Sequence, residues 1–183
     1  LSQGECLIKD EFDFAQSTKN SLLAQAREWV SGENTISQTM IQLLERETLP
    51  ELIPVNEKIQ KDVFNIHRYI SDFIYDNDEK LIAIQGPPGT GKTTLSSKIV
   101  SELVQKGYRV AITANSHRVI DNLLLKIDTN FKELDINRTI AKCDSHRDNI
   151  FLPSNVRTLT PKNINNQVSV MGATTNKFCN RDF

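Results

Sequence analysis

The feature that most constrains this chain is a glycine-rich string that ends in lysine and threonine. It follows the pattern G-x-x-x-x-G-K-T, and its residues are Gly86, Pro87, Pro88, Gly89, Thr90, Gly91, Lys92 and Thr93. Glycines let backbone N–H groups turn toward a phosphate, and the helix that follows presents its N-terminus to the anion. Lys92 offers a positive charge to the β- and γ-phosphates, and the Thr93 hydroxyl is a ligand for Mg²⁺. We therefore predict a site for ATP or GTP with Mg²⁺ that comprises this loop and the adjoining Thr94, with Lys92 and Thr93 as the catalytic residues.

The stretches on both sides of the loop support this prediction. Residues 81–84 form a short apolar run, which is typical of a buried parallel strand. Residues 93–106 carry apolar side chains at helical spacing, and Gly107 follows where a left-handed residue often ends a helix. Strand, loop and helix come in the order that a phosphate-binding loop requires, so we predict an α/β P-loop fold.

The bulk composition sets few further limits. The chain has 183 residues, 38% hydrophobic and 25% charged, with a net charge of −1, so no basic excess points to a nucleic-acid partner. Three cysteines without a C-x-x-C pair argue against a disulfide framework or a zinc site and predict a cytoplasmic protein. The sequence shows no signal peptide and no apolar run of about 18 residues, so we predict no membrane partner. Because it starts at Leu1 and ends at Phe183 without a closing element, we expect a fragment.

Three amphipathic helices are predicted ahead of the loop, because apolar side chains recur there at three- and four-residue steps. These helices span residues 11–31, 36–47 and 56–75. Pro50 and Pro54 interrupt the pattern between the second and the third helix. We therefore predict a helical segment over residues 1–54 and a separate α/β lobe over residues 55–183.

Strands and helices alternate after the loop helix. The pattern predicts strands over 109–113, 139–143 and 168–171, a helix over 116–127 and a polar loop over 144–166. Such alternation implies a parallel sheet. Ser116 stands where it can cap the second helix. The polar residues around it follow the carboxyl end of a strand, where ligands bind in open α/β sheets.

Two motifs together resemble those of superfamily 1 helicases, in the branch that includes the nonsense-mediated-decay helicase and the replication nuclease-helicase. That family carries I-Q before G-P-P-G-T-G-K-T, as residues 84–93 do here, and follows it with motif Ia, roughly T-A-P-S-N-x-A-V-D-N-L. Residues 113–123 read T-A-N-S-H-R-V-I-D-N-L, with Asn115 in place of proline and His117 in place of asparagine. This form is most similar to prokaryotic members fused to a RecB-like nuclease. A further stretch, V-M-G-A-T-T over 170–175, is similar to the next helicase motif.

The resemblance covers about residues 56–183 and implies the first RecA-like lobe of an ATP-dependent helicase. It implies ATP and Mg²⁺ as cofactors, single-stranded DNA or RNA as partner, and a nuclease domain on the same parent chain. In the family, motif Ia contacts the phosphates of the single strand, so the implied contacts are Thr113, Asn115, Ser116 and His117. An upstream glutamine contacts adenine in the family, and Gln60 is the candidate here. The alternatives are that Ser116 only caps a helix, that His117 only faces solvent, and that Gln60 is a surface helix residue.

One element of the family pattern is missing from the sequence. The carboxylates that hold Mg²⁺ and orient water come from an apolar strand ending in Asp-Glu. After Thr93 the nearest approximations are Asp128 and Asp144, which are followed by threonine and serine. We therefore expect the 183-residue chain by itself to bind nucleotide weakly and to hydrolyse little of it.

Two other classes of protein share the loop. An AAA+ ATPase has the same string, but its Asp-Glu strand comes within the length that this chain covers. A small-molecule kinase usually has an arginine-rich lid, whereas the arginines after the loop helix are scattered. We therefore predict an incomplete first lobe of a superfamily 1 helicase, and we retain the AAA+ ATPase and the kinase as alternatives.

Overall fold

Seven α-helices and four strands make up the described part of the chain. The computed structural model describes residues 13–32, 38–45, 52–77, 81–143, 152–153, 155–164 and 167–179. The helices are α1 Asp13–Ser31, α2 Gln38–Glu45, α3 Leu52–Lys61, α4 Ile66–Asp76, α5 Lys92–Gln105, α6 His117–Glu133 and α7 Thr175–Phe178. The strands are β1 Val110–Ala114, β2 Thr139–Cys143, β3 Val156–Leu159 and β4 Val168–Thr174.

The four strands form one parallel sheet, which confirms the predicted α/β class. Its order is β1-β4-β2-β3, and every neighbouring pair runs parallel. Helix α6 packs on β4, where a Cβ on Gly172 would lie 2.6 Å from Cγ2 of Ile120. The glycine therefore lets the helix approach the sheet closely. The fully buried Ile120, Leu124 and Ile127 of α6 fill the core above the strands.

Most of the predicted elements of the trailing half are confirmed. Strands β1, β2 and β4 coincide with the predicted ones to within a few residues, and α6 begins as predicted but continues to Glu133. The prediction of a continuous loop over residues 144–166 was wrong, because it contains β3. Val156 of β3 is buried and pairs with Ile140 of β2, so the strand is stabilised by a neighbour that sequence pattern does not reveal.

The prediction of one unbroken helix over 56–75 was also wrong. Helix α3 ends at Lys61, a 3₁₀ turn follows over Val63–Asn65, and α4 begins at Ile66. The break is at Asp62, which has φ −143° and ψ 83°. Its carboxylate accepts hydrogen bonds from Nδ2 of Asn65 at 2.6 Å and from the hydroxyl of Tyr69 at 3.1 Å. The aspartate thereby stabilises the turn in place of the helical backbone bonds.

The first two predicted helices are confirmed as α1 and α2. Pro50 lies outside the described residues. Pro54 lies in the first turn of α3, where a missing backbone N–H costs no helical hydrogen bond. The division into two domains near residue 54 stays a prediction. None of the described helices is long and apolar enough to cross a membrane.

The apolar run ahead of the loop does not form the predicted strand. Residues 81–87 have no regular secondary structure and pair with none of the four strands. Leu81 and Ile82 are half-buried, and the Leu81 N–H donates to Oε1 of Gln42 at 3.4 Å. A strand exists only where a neighbour accepts its backbone hydrogen bonds, and within the described sheet no such neighbour lies beside this segment.

Helices α4 and α5 are joined by an apolar contact and by polar contacts between side chains. Ile70 of α4 packs against Ile99 and Leu103 of α5. His67 Nε2 lies 3.7 Å from Oε1 of Glu102, and Lys106 Nζ lies 2.6 Å from Oδ1 of Asp72. These contacts fix the helix ahead of the loop to the helix after it.

We expect the pairing of α4 with α5 to weaken in mild acid through His67. Burial, helped by the charge of Lys98, lowers the pKa of His67 below its ordinary value of 6.5. The unfolded chain therefore binds the proton more readily, so the free energy of unfolding should fall as the pH drops below about 6.5. Urea unfolding at several pH values from 7.5 to 5 should show this slope, and His67→Gln should flatten it. An unchanged slope in His67→Gln would assign the effect to other groups.

Candidate nucleotide and nucleic-acid sites

The glycine-rich loop closes around its own lysine. Lys92 Nζ donates hydrogen bonds to the carbonyl oxygens of Gly86 and, at 2.8 Å, of Pro87. The Thr90 hydroxyl donates to the same Pro87 oxygen at 2.8 Å. A Cβ on Gly86 would lie 2.7 Å from the Thr90 hydroxyl oxygen, so a side chain at position 86 would displace that hydroxyl. The ammonium group thus lies at the centre of the loop, where a phosphate would replace its carbonyl partners.

Two further glycines allow the loop to turn into α5. Gly89 and Gly91 have φ values of +82° and +84°, a region that residues with side chains rarely adopt. Gly91 is the N-cap of α5 and provides no side-chain cap. Lys92, Thr93 and Thr94 begin the helix and are exposed. The backbone N–H groups of this first turn and the positive end of the helix dipole therefore face solvent. This arrangement is typical of an anion-binding site.

The Thr93 hydroxyl is well placed to be a magnesium ligand. It lies in the exposed first turn of α5, directly after the lysine that would contact the phosphates. Magnesium usually keeps several waters and takes one or two protein ligands together with phosphate oxygens. Among the described residues no cluster of three or more acidic, histidine or cysteine side chains could hold a metal by itself. A magnesium ion coordinated by phosphate oxygens and waters would need one protein ligand of the kind that Thr93 offers.

Of the two aspartates that approximate the missing Asp-Glu motif, Asp128 does not supply it here. Asp128 is buried in the second half of α6, 2.7 Å from Lys132 Nζ and 3.3 Å from Asn155 Nδ2. It lines a polar cavity of about 380 Å³ at the amino ends of β2 and β3. That is the opposite end of the sheet from Thr113, and the carboxylate serves local structure there. Asp144 lies outside the described residues.

The predicted nucleic-acid residues lie together at the carboxyl end of β1. Thr113, Asn115, Ser116 and His117 are all exposed. Ser116 is the N-cap residue of α6, with φ −129° and ψ 131°, but its hydroxyl makes no cap hydrogen bond. The side chain is thus free of the helix-capping role that the sequence suggested. No other hydrogen bond of that hydroxyl is found in the described part of the chain.

A residue that the sequence analysis did not place in the site joins this group. Thr175 follows β4, and its hydroxyl lies 3.2 Å from the Thr113 hydroxyl and 3.4 Å from Oδ1 of Asn115. The contact arises because β1 and β4 are neighbours, with Ala114 opposite Thr174. The V-M-G-A-T-T stretch was the signal that could have identified it. We call Thr113, Asn115, Ser116, His117 and Thr175 the strand-end cluster.

Gln60 is not brought to the loop by any described hydrogen bond. It lies on α3, its side chain is exposed, and it makes no hydrogen bond with residues 86–94. Its role in contacting adenine stays a prediction.

A buried ion pair ties the strand-end cluster to the sheet. Lys142 of β2 is 1% exposed, and its Nζ lies 2.7 Å from Oδ1 of Asp121, in the second turn of α6. That oxygen accepts no hydrogen bond of good geometry from any described residue, so the attraction is chiefly Coulombic. The pair holds the start of α6, and with it Ser116, over β2.

Comparisons with known proteins agree with these motifs. A family model described as an AAA domain, AAA_11, matches residues 65–178, more than half of the chain. The yeast "DNA replication ATP-dependent helicase/nuclease DNA2" (Saccharomyces cerevisiae) is 45% identical over 49 residues, 27% of this chain and 3% of that protein. Mouse "DNA-binding protein SMUBP-2" is 41% identical over 49 residues, 27% of this chain and 5% of that protein. Human DNA2 is 46% identical over 44 residues, 24% of this chain and 4% of that protein.

This chain therefore spans only a few per cent of the length of these curated relatives. No solved structure matches it.

Proposed function

The chain belongs to the AAA_11 family of AAA domains, a superfamily 1 helicase-like family, and on that premise we propose that it is the nucleotide-binding lobe of an ATP-driven nucleic-acid translocase. ATP binds at the glycine-rich loop with Lys92 on its phosphates, and Mg²⁺ binds between the phosphates and Thr93. A single strand of DNA or RNA lies on the strand-end cluster. Hydrolysis in the intact protein uses carboxylates from outside the described residues.

The main support for the proposal is that two exposed sites occur on one α/β fold with a parallel sheet. The first turn of α5 presents uncapped N–H groups beside Lys92. The strand-end cluster presents hydroxyl and amide groups from two neighbouring strands, and it contains neither lysine nor arginine. Hydroxyl, amide and backbone N–H groups contact phosphate oxygens without reading base sequence, which suits a protein that moves along a strand.

The relatives favour this class over the two alternatives. They are named helicase/nucleases and a DNA-binding protein, and none carries the name of a small-molecule kinase or of a ring-forming ATPase. We propose further that the parent chain carries a nuclease domain, as the name of the yeast relative describes for that protein. Fusion to a nuclease of the RecB-like type is the finer form of this proposal and rests on the T-A-N-S-H form of residues 113–117.

Removing two hydroxyls of the strand-end cluster should test the nucleic-acid site. In the intact protein, Ser116→Ala with Thr175→Val should weaken single-strand binding about 30-fold, because each of the two lost phosphate contacts contributes about 1 kcal/mol. The loss should be equal for oligonucleotides of different sequence, and the salt slope should not change, since hydroxyls displace no counterions. Anisotropy titrations at several salt concentrations measure both quantities.

Thr129→Ala is the matched control for this experiment. Its hydroxyl is also exposed and lies on α6, but it donates to the carbonyl of Leu125 within the helix. It should leave single-strand binding unchanged. If the double variant binds like the wild type but melts at a lower temperature, the cluster only supports the start of α6 and the nucleic-acid proposal is wrong.

A further inference from the structure

Two hydrogen bonds through one serine connect α6 to the first turn of α5. Asn130 Nδ2 of α6 donates to the Ser97 hydroxyl oxygen at 3.0 Å. That hydroxyl in turn donates to the carbonyl oxygen of Thr94 at 2.9 Å. Ser97 is fully buried and Asn130 is 9% exposed, so the bond between them is shielded from water, whereas the bond to Thr94 is partly buried.

The chemistry of the serine fixes the direction of both hydrogen bonds. A hydroxyl has one proton to donate, and Ser97 gives it to Thr94, so its oxygen is left as an acceptor only. Asn130 must therefore present its amide N–H₂ group to this oxygen. The neighbouring Ser101 provides a contrast, because it is equally buried but donates within α5 to the carbonyl of Ser97.

The two helices that these hydrogen bonds connect begin at different proposed sites. Thr94 lies in the turn that holds Lys92 and Thr93, where the nucleotide phosphates and Mg²⁺ are proposed to bind. Helix α6 begins at His117, immediately after Ser116 of the strand-end cluster. An amide on the helix that starts at the nucleic-acid site thus supports, through Ser97, the turn that starts at the nucleotide site.

We propose that Asn130 is a positioning residue for nucleotide binding and that its bond to Ser97 carries the effect of the nucleotide to α6. This inference rests on the proposed nucleotide site. A phosphate at the loop pulls on the peptide groups of the first turn of α5, and the Ser97 hydroxyl follows the Thr94 carbonyl. Asn130 is held by that hydroxyl, so α6 becomes more ordered when the loop is occupied.

Ser97→Ala is the primary test, with Ser101→Ala as its control. Both remove one buried serine hydroxyl from α5, but only Ser97→Ala breaks the link to α6. In the intact protein, Ser97→Ala should weaken Mg·ATP binding about two- to tenfold in calorimetric titrations. Ser101→Ala should change that affinity by less than about twofold.

Hydrogen exchange provides the readout that simple packing would not produce. Mg·ATP should slow exchange of the amides of α6 in the wild type and in Ser101→Ala, but not in Ser97→Ala or in Asn130→Leu. In a double-mutant cycle for Mg·ATP affinity, Ser97→Ala with Asn130→Leu should cost no more than the larger single effect. Ser97→Thr, which keeps the hydroxyl, should restore the response of α6.

The outcomes separate this inference from the function on which it rests. If the wild type binds Mg·ATP but α6 does not respond, or if Ser97→Ala and Ser101→Ala behave alike, the positioning role is overturned and the nucleotide site stands. If the wild type gives no heat with Mg·ATP, the proposed nucleotide site is wrong and the inference fails with it. A response of α6 without any single-strand binding would support the inference while refuting only the nucleic-acid proposal.

Discussion

Replacing Lys92 by alanine is expected to weaken Mg·ATP binding at least about 100-fold, because the side chain supplies the only charge at the centre of the loop. Its ammonium group donates hydrogen bonds to the carbonyl oxygens of Gly86 and Pro87. Phosphate oxygens would replace these carbonyls, and two charge-assisted hydrogen bonds of about 1.5–3 kcal/mol each would be lost in the variant. Calorimetric titration of Mg·ATP into the intact protein measures the change.

Lys98→Ala is the matched control for this prediction. Lys98 is an exposed lysine on the same helix, just over one and a half turns beyond the loop, so the variant removes an equal charge without touching the loop. It should change Mg·ATP affinity by less than about threefold. Circular dichroism should show that both variants stay folded, since both side chains are exposed. Equal affinities for Lys92→Ala and the wild type would remove the basis for the nucleotide site.

The loop was predictable from sequence because its structure is local. Gly89 and Gly91 are needed for positive φ, and the lysine and threonine follow them within the same turn. Such a motif specifies its own backbone, whatever the rest of the fold does. The same holds for α5, whose end at Gly107 is set by a residue with φ +92°.

The errors in the sequence analysis come from contacts between distant residues. The run over 81–84 is apolar enough for a strand, but no described strand pairs with it. In the opposite case, Val156–Leu159 is a weak strand by composition and forms because β2 lies beside it. A hydrophobic pattern indicates which side chains prefer burial. It does not indicate which backbone groups will accept the hydrogen bonds of a segment.

The site shows the same division between local and distant signals. Ser116 and His117 were predicted because residues 113–123 resemble motif Ia and follow a strand directly. Thr175 lies some sixty residues away and reaches Thr113 only through the pairing of β1 with β4. The bond between Asn130 and Ser97 was not predictable either, since both residues are ordinary polar positions on amphipathic helices. Their burial is visible only once the two helices are packed together.

The buried pair of Lys142 and Asp121 leads to the second large prediction, which concerns stability. Asp121→Asn should lower the free energy of unfolding by about 3 kcal/mol, because it leaves a lysine that is 1% exposed without its carboxylate. Lys142→Met should cost less, since methionine keeps most of the apolar stem and the 17% exposed Asp121 side chain can gain water. Urea unfolding of the three proteins measures the order of these costs.

The pair of Lys106 and Asp72 is the control that isolates burial as the cause. Its Nζ–Oδ1 distance is 2.6 Å, but its lysine is 26% and its aspartate 61% exposed, so Asp72→Asn should cost less than about 1 kcal/mol. Combining Asp121→Leu with Lys142→Met should restore part of the stability lost in Asp121→Asn, because it removes both charges from the low-dielectric site. Equal costs for Asp121→Asn and Asp72→Asn would show that the depth of Lys142 has no energetic consequence. The strand-end cluster would then be held over β2 by the apolar packing of Ile120 and Leu124 alone.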